Sequence, residues 1–158
     1  MLLETAARAA RKPARGGVHN LICIAEPVDV LAGELAGIGD RLTVILPWGS
    51  LLRGVSLPDP AMLQQLRRLC AAGATFEIVF SYDEKRDAGE RGPLGRIVLS
   101  HDHVQSLRPL YEDAGIPISS LECITPGELG GYETTWAKRL SFGLPREIWR
   151  LCGSAKSI

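Results

Sequence analysis

Short apolar runs rich in β-branched and aromatic residues recur along the chain, and helical patterns fill the gaps between them. Five runs predict strands, at residues 20–25, 41–46, 74–82, 118–125 and 147–152. The first runs are almost continuously apolar, which is typical of strands buried on both faces. Strands that alternate with helices predict an α/β sheet covered by helices on both sides.

Helical segments are indicated by caps as well as by periodicity. The Ala-rich residues 4–11 end before Pro13, and Asp59 is a predicted N-cap for a helix that carries Pro60 in its first turn. A longer helix is predicted from an N-cap at Ser100 to a C-cap at Gly115. A short helix is predicted over residues 128–142. Each helix would supply an apolar face to the sheet.

We predict one domain over residues 1–158, because no linker or internal repeat divides the chain. Within it we expect a basic helix and loop at 1–19, a mobile loop at 83–96 and an insertion at 126–146 between the last two strands. Charge is unevenly spread along the chain. Residues 1–19 contain four basic residues and one acidic residue, and residues 136–158 contain five basic residues and one acidic residue. Basic ends on an acidic body suit a polyanion partner, although ordinary solvated faces are an alternative.

Several kinds of site are disfavoured. The four cysteines are widely spaced without a C-x-x-C pair, and the three histidines are scattered, so no metal is expected. The apolar runs are too short to span a membrane, and no secretory signal is recognisable at the start, so we expect a cytoplasmic protein.

In open α/β sheets, ligands bind beyond the carboxyl ends of the strands. The second predicted strand runs into Pro47, Trp48, Gly49 and Ser50, where the proline stops pairing and the glycine permits a tight turn. Trp48 is either a lid on the core or a stacking platform for a ligand. The general frequency of buried aromatic residues favours the core.

A second tryptophan, Trp136, is followed directly by Lys138 and Arg139. Aromatic residues interleaved with bases suit a flipped nucleobase stacked beside neutralised phosphates. The alternative is an amphipathic helix in which Trp136 and Leu140 lie on the buried face. We assign the third tryptophan, Trp149, to the core because it lies inside the last predicted strand.

Residues 46–52, Leu-Pro-Trp-Gly-Ser-Leu-Leu, and residues 136–143, Trp-Ala-Lys-Arg-Leu-Ser-Phe-Gly, start about ninety residues apart. In this order they resemble the two signature segments of the aminoglycoside-resistance methyltransferases that modify N1 of adenine 1408 in 16S rRNA. Among these, the segments resemble those of the kanamycin-apramycin resistance methylases. Residues 11–17, Arg-Lys-Pro-Ala-Arg-Gly-Gly, resemble the basic segment before that family's third strand. The resemblance covers essentially the whole chain.

This resemblance implies a Rossmann-like class I methyltransferase fold, S-adenosyl-L-methionine (SAM) as cofactor, and methylation of 16S rRNA within the small (30S) ribosomal subunit, giving resistance to kanamycin and apramycin. It implies that Trp48 and Trp136 clamp the adenine, while Thr134 fixes the loop or the base edge. The cofactor-binding residues that it implies are Val28, Asp29, Ile45, Leu46, Pro47, Trp48, Gly49, Ser50, Thr134, Thr135 and Trp136. The RNA-binding residues that it implies are Arg11, Lys12, Arg15, Lys138, Arg139 and Arg146.

The family fold begins with a strand, a glycine-rich SAM loop and a second strand that ends in an acid, and nothing similar precedes Glu4. We therefore expect the chain to correspond to the last two thirds of that fold, to be incomplete at its N-terminus and to bind SAM weakly. A non-catalytic RNA- or ribosome-binding remnant of the fold is the main alternative. A structural domain with both tryptophans in the core is a further one.

Overall fold

Helices and strands alternate along the chain. The structure, a computed structural model, describes residues 2–18, 20–57, 59–87, 94, 98–132, 134–141 and 146–157. Its strands are β1 Gly39–Ile45, β2 Cys70–Phe80, β3 Ile118–Ile124 and β4 Ile148–Ser154. Its α-helices are α1 Leu2–Ala9, α2 Val28–Glu34, α3 Gly49–Ser56, α4 Pro60–Leu69, α5 Glu84–Asp87, α6 His101–Gln105, α7 Arg108–Asp113 and α8 Thr135–Ser141. Short 3₁₀ helices span Pro13–Arg15 and Pro126–Gly131.

The strands form one mixed sheet in the order β1-β2-β4-β3. β1 runs parallel to β2, whereas β4 is antiparallel to both of its neighbours, β2 and β3. Ile45 pairs with Val79 at the carboxyl end of the parallel strands, and Ile124 pairs with Ile148 on the far side of the sheet. The carboxyl ends of β1, β2 and β3 therefore lie at the same end of the sheet as the start of β4.

The main core covers one face of the sheet. Phe76, Ile78 and Phe80 alternate along β2 and point to this face, as the two-residue period of a strand requires. Helices α3, α4, α6 and α7 cover them with buried side chains that include Leu52, Leu66, Val104 and Tyr111. Helix α4 is capped by Asp59, whose Oδ1 accepts hydrogen bonds from the amides of Ala61 and Met62 at 3.1 and 3.2 Å, which confirms the predicted cap.

The opposite face of the sheet is apolar at one end and charged at the other. Its apolar end forms a small cluster, here called the rim cluster, whose buried members are Leu46, Val79, Ile124, Leu129, Ala137 and Ile148. Among the described residues, Leu129 of the Pro126–Gly131 helix and Ala137 of α8 join it from outside the sheet and the turn after β1, and Tyr132 and Leu140 pack against it. Towards the other end, the strands carry Arg41, Glu77, Glu122 and Arg150, which line an open groove of about 570 Å³.

The predicted strand at 20–25 is wrong. Residues 21–27 have no regular secondary structure, and Leu21, Ile22 and Ile24 are exposed, with Ile22 at 82%. A strand requires a neighbour that exchanges backbone hydrogen bonds with it, and the described residues provide none for this segment. The other four strands are confirmed, with ends shifted by a few residues.

The single helix predicted over 100–115 is instead two helices, α6 and α7. Pro109 lies at the start of α7 and has no amide hydrogen to donate to the carbonyl of Gln105, so the chain cannot continue as one helix. Both predicted caps are nevertheless confirmed, because Ser100 Oγ accepts a hydrogen bond from the His103 amide at 3.3 Å and Gly115 has a φ of +80°.

Other predicted segments are only partly described. In the loop predicted at 83–96, α5 occupies Glu84–Asp87, and residues 88–93, 95 and 96 lie outside the described residues. The helix predicted over 128–142 is replaced by the Pro126–Gly131 3₁₀ helix and α8. In the insertion predicted at 126–146, residues 133 and 142–145 lie outside the description, and with them the end of the second signature segment.

Trp149 tests the main core. This side chain is 2% exposed, and its Nε1 donates a hydrogen bond to the Leu99 carbonyl at 3.0 Å. We expect Trp149→Ala to lower the free energy of unfolding by about 3–5 kcal/mol because it leaves a cavity. Urea denaturation of the variant measures the change. Trp48→Ala and Trp136→Ala are the matched controls, and equal destabilisation by all three substitutions would contradict this assignment.

Candidate functional site

The turn that follows β1 is strained. Leu46 has a φ of 49°, a backbone angle that residues other than glycine rarely adopt. Its amide still donates to the Val79 carbonyl at 2.7 Å, and its side chain is buried in the rim cluster. Such a backbone costs on the order of 1–3 kcal/mol and persists only where its surroundings hold it. The turn is therefore held by the sheet on one side and by the rim cluster on the other.

This turn places Trp48 on the surface. Gly49, with a φ of +62°, begins α3, and Trp48 is the residue directly before it. The Trp48 side chain is 50% exposed. The preference for a core position drawn from general frequency is therefore wrong, because the turn at Leu46 sends the chain away from the sheet before the tryptophan is reached.

Trp136 lies on the first turn of α8 and is also exposed, at 45%. Thr134 Oγ1 accepts a hydrogen bond from the Ala137 amide at 3.0 Å, so Thr134 caps the helix that carries the tryptophan. Ala137 is fully buried and Leu140 packs against the rim cluster, so the buried face of α8 is the one with these two residues. The alternatives that bury Trp136 are wrong, including a structural domain with both tryptophans in the core.

The rim cluster brings the two tryptophan-bearing segments to the same end of the sheet. Leu46, two residues before Trp48, and Ala137, next to Trp136, both belong to it. Beside Trp136, a shallow cavity of about 380 Å³ is lined by Thr134, Thr135, Trp136 and Arg139. The Arg139 guanidinium carbon lies 6.0 Å from the centroid of the Trp136 ring, within the range of a cation–π contact.

A compact basic turn follows α1. Within it the Gly16 amide donates to the Pro13 carbonyl at 2.9 Å, and the Gly17 amide to the Lys12 carbonyl at 3.2 Å. A Cβ on Gly17 would lie 1.6 Å from the Arg11 carbonyl oxygen, so only glycine allows this close approach. The turn presents three exposed bases around a shallow cavity of about 340 Å³, namely Arg11, Lys12 and Arg15.

The other predicted RNA-binding residues fall into two groups. Lys138 and Arg139 are exposed on α8. Arg146 is 9% exposed in its side chain and pairs with Asp87, with 2.5 Å between Nη2 and Oδ2. Its buried Nε has no hydrogen-bond partner among the residues that the structure describes. The Asp87 partner could not be found from sequence because it lies 59 positions away.

A charged network that the sequence did not predict lies beside the rim cluster and is formed by Arg41, Glu77, Glu122, Tyr132 and Arg150. Tyr132 donates its hydroxyl hydrogen to Glu77 Oε1 at 2.5 Å, and Arg41 pairs with Glu77 Oε2 at 3.0 Å. Arg150 pairs with Glu122 at 2.6 Å, and this hydrogen bond lowers the pKa of the exposed Glu122 carboxyl. Charged residues that alternate with apolar ones in predicted strands were the available signal.

The family model described as NpmA, 16S rRNA (adenine(1408)-N(1))-methyltransferase, matches residues 1–155 of this sequence. The chain belongs to this family. A 16S rRNA (adenine(1408)-N(1))-methyltransferase from Streptoalloteichus tenebrarius is 34% identical over 137 residues, which are 87% of this chain and 63% of that protein. A protein of the same name from Escherichia coli is 28% identical over 154 residues, which are 96% of this chain and 70% of that protein. The chain thus spans less than two thirds of the first of these relatives.

Solved structures of this family share the fold. The 16S rRNA methyltransferase KamB has a TM-score of 0.83 at 32% identity, with 98% of this chain and 71% of that chain covered. A mutant of the 16S rRNA (adenine(1408)-N(1))-methyltransferase from Catenulisporales acidiphilia, crystallised with the cosubstrate SAM, has a TM-score of 0.82 at 30% identity, with 98% and 70% covered. The class I methyltransferase fold expected from the sequence is confirmed.

The residues of this chain that the sequence predicts for a SAM site lie in two places. Ile45 and Leu46 belong to the rim cluster or pack against it, whereas Val28 packs against the main core on the other face of the sheet. Asp29 is exposed in the first turn of α2, and Ser50 is exposed in α3. A free carboxylate, a hydroxyl and half-buried apolar side chains fit SAM, which carries an aromatic ring, ribose hydroxyls and a charged end.

No cluster of three or more potential metal-ligating side chains occurs within the described ranges. Nor does any helix among the described residues have the length and hydropathy needed to cross a bilayer.

Substitution of Thr134 tests whether its hydroxyl stabilises the N-terminus of α8. We expect Thr134→Ala to destabilise the first turn of α8 by about 0.5–2 kcal/mol, because the Ala137 amide loses its acceptor. Amide hydrogen exchange at Ala137 and Lys138 measures the change. Thr134→Ser keeps the hydroxyl and is the matched control. Unchanged exchange in Thr134→Ala would show that the cap does not stabilise the helix.

Proposed function

We propose that this protein is an enzyme that methylates N1 of adenine 1408 in 16S rRNA of the 30S ribosomal subunit, with SAM as the methyl donor. The observation that carries the proposal is the pair of exposed tryptophans, Trp48 and Trp136, on two segments anchored in one rim cluster. Membership of the NpmA family supplies the substrate. Such an enzyme acts where ribosomes are, in the cytoplasm, and its product confers resistance to kanamycin and apramycin.

The proposed chemistry needs little from acids or bases. SAM supplies a methyl group on a positively charged sulfur. N1 of adenine is unprotonated at neutral pH, so its in-plane lone pair could form the new C–N bond without a general base. The bond between the methyl carbon and sulfur would break at the same time, its electron pair would return to the sulfur of the departing thioether, and the positive charge would pass to the adenine. The protein then contributes mainly by holding the base at the right distance and angle.

Trp48 and Trp136 are the residues that we propose hold the base. The target adenine must leave its helix to be reached, and aromatic faces stabilise the extruded base. Both indoles are accessible to a ligand, and both follow segments at the carboxyl end of the parallel strands, where ligands of α/β proteins bind. Thr134 acts through α8, since its hydroxyl caps the helix that carries Trp136.

The groups that we propose hold SAM are those of the two places described above. Ile45, Leu46 and Pro47 would line it from the end of β1, and Trp48, Gly49 and Ser50 from the turn. The Asp29 carboxylate would accept hydrogen bonds from hydroxyls, with Val28 beside it. Thr134, Thr135 and Trp136 would close the site from α8.

Docking on RNA is proposed to use the two exposed basic segments. Arg11, Lys12 and Arg15 form one patch, and Lys138 with Arg139 forms the other. Contacts to phosphate dominate the affinity of proteins for nucleic acids. Arg146 can join them only if its ion pair with Asp87 opens, because the side chain is nearly buried in this structure.

The tryptophan pair decides between an enzyme and a binding remnant. We expect Trp48→Ala and Trp136→Ala each to abolish methylation of 30S subunits, because loss of a stacking face costs roughly 1–3 kcal/mol and also misorients the base. Primer extension detects the product, since an N1-methyl group blocks the pairing edge of adenine.

The matched controls are Trp48→Phe and Trp136→Phe, which keep an aromatic face and should retain part of the activity. Normal activity in a stable alanine variant would reject the clamp. Binding of 30S subunits without any methylation by the unmutated protein would favour the remnant.

Charge reversal tests the docking surface. We expect Arg11→Glu with Lys12→Glu, or Lys138→Glu with Arg139→Glu, to weaken binding to 30S subunits and to flatten its salt dependence, because fewer counterions are released. Titrations at several salt concentrations measure both quantities. Arg53→Glu with Arg68→Glu makes the same change of charge on exposed positions of α3 and α4. Equal loss in all three double variants would show that only net charge matters.

A further inference from the structure

Tyr132 joins the apolar and charged ends of the second sheet face. Its ring packs against the rim cluster, while its hydroxyl donates to Glu77 Oε1 at 2.5 Å. Burial, and then the hydrogen bond to Glu77, raise the pKa of the Tyr132 hydroxyl, so it remains a donor at neutral pH. The apolar ring of Tyr132 thus contacts one end of this sheet face, and its polar hydroxyl contacts the other.

The acceptor of this hydrogen bond is itself held in place. Glu77 lies in the middle of β2, where its backbone pairs with Thr43 on one side and with Cys152 on the other. Its second carboxylate oxygen accepts from Arg41 at 3.0 Å. Glu77 is therefore a fixed point of the sheet, and the Tyr132 hydroxyl is attached to it.

From Tyr132, a short series of hydrogen bonds leads to Trp136. The Thr134 amide donates to the Tyr132 carbonyl at 2.8 Å, and Thr134 Oγ1 accepts from the Ala137 amide at 3.0 Å. The Lys138 amide donates to the Thr134 carbonyl at 3.0 Å. These hydrogen bonds connect Tyr132 to the first turn of α8, and Trp136 is the second residue of that helix.

A helix as short as α8, with seven residues, is not stable alone and depends on tertiary contacts. Its inward contacts with the rim cluster are Ala137 and Leu140, which are small or only half-buried. Apolar contacts of this kind are not directional. The hydrogen bond between Tyr132 and Glu77 is directional, and so it can specify the placement that apolar packing leaves loose.

We propose that Tyr132, anchored by Glu77, is a positioning residue that sets the place and orientation of Trp136 for stacking on the target base. This inference rests on the proposed function for its consequence in methylation. The tether itself is a property of the free protein. The two parts can therefore be tested separately.

The first measurement is the fluorescence of Trp136 in the free protein, in a Trp48→Phe background that leaves Trp149 as the other, buried tryptophan. We expect Tyr132→Phe to lower the anisotropy of the accessible tryptophan and to increase its quenching by acrylamide. The phenylalanine keeps the ring in the rim cluster, so we expect the protein to stay folded. An unchanged melting temperature of the variant, followed by the fluorescence of the buried Trp149, verifies this.

Substitutions of Glu77 separate the hydrogen bond from the ion pair. Glu77→Gln and Glu77→Leu both remove the pair with Arg41, which is 68% exposed in its side chain. Only Gln keeps an oxygen that accepts from Tyr132. We therefore expect Glu77→Leu to reproduce Tyr132→Phe, and Glu77→Gln to match the unmutated protein. Ser120→Ala, which removes a hydrogen bond to Glu122 on the same face, is a further control.

The second measurement is methylation of 30S subunits. We expect Tyr132→Phe to lower kcat on the order of tenfold, the effect of losing a hydrogen bond to a charged group, and to leave KM for the subunit unchanged. Unchanged quenching and anisotropy in Tyr132→Phe, or equal effects of Glu77→Gln and Glu77→Leu, would overturn the proposal. Unmutated protein that fails to methylate overturns the proposed function, and the fluorescence comparison still decides on the tether.

Discussion

Burial of six apolar side chains at one end of the second sheet face organises the site. The rim cluster takes Leu46 from the turn after β1, Leu129 from the Pro126–Gly131 helix, Ala137 from α8 and single residues from three strands. Because Leu46 is buried there with a positive φ, the chain turns outwards and exposes Trp48. Because Ala137 is buried there, its neighbour Trp136 lies on the surface of the same helix. The rim cluster thus supports both of the proposed stacking residues.

The charged residues beside this cluster have a different role from the exposed basic segments. Arg41, Glu77, Glu122 and Arg150 are paired with one another across the strands, so they leave little free charge for a partner. They instead provide fixed polar atoms on an otherwise apolar sheet, and Tyr132 uses one of them. In contrast, the bases of the turn at 11–15 surround a cavity whose lining, as far as the described residues form it, has no acidic side chain. Their charge remains available to phosphate.

Arg146 lies between these two situations. Its ion pair with Asp87 is nearly buried, and one of its nitrogens has no hydrogen bond within the described part of the chain. A buried cation with an unfilled donor is costly, since the ion pair with Asp87 offsets only part of the desolvation. The pair connects the start of β4 to α5 after β2. Binding of a phosphate there would exchange one anionic partner for another.

The sequence alone determined the local features whose cause is local. Asp59 and Ser100 cap helices because their side chains reach amides two or three residues away, and short apolar runs rich in β-branched and aromatic residues predicted four of the strands. The two tryptophan segments and their order were sufficient to indicate the family. Tertiary structure decided the rest. Residues 20–25 are as apolar as a strand, yet they have no partner, and pairing is a property of neighbours. Exposure of Trp48 depends on the burial of Leu46, and the partners of Arg146 and Tyr132 are 59 and 55 positions away, distances at which composition and periodicity carry no information.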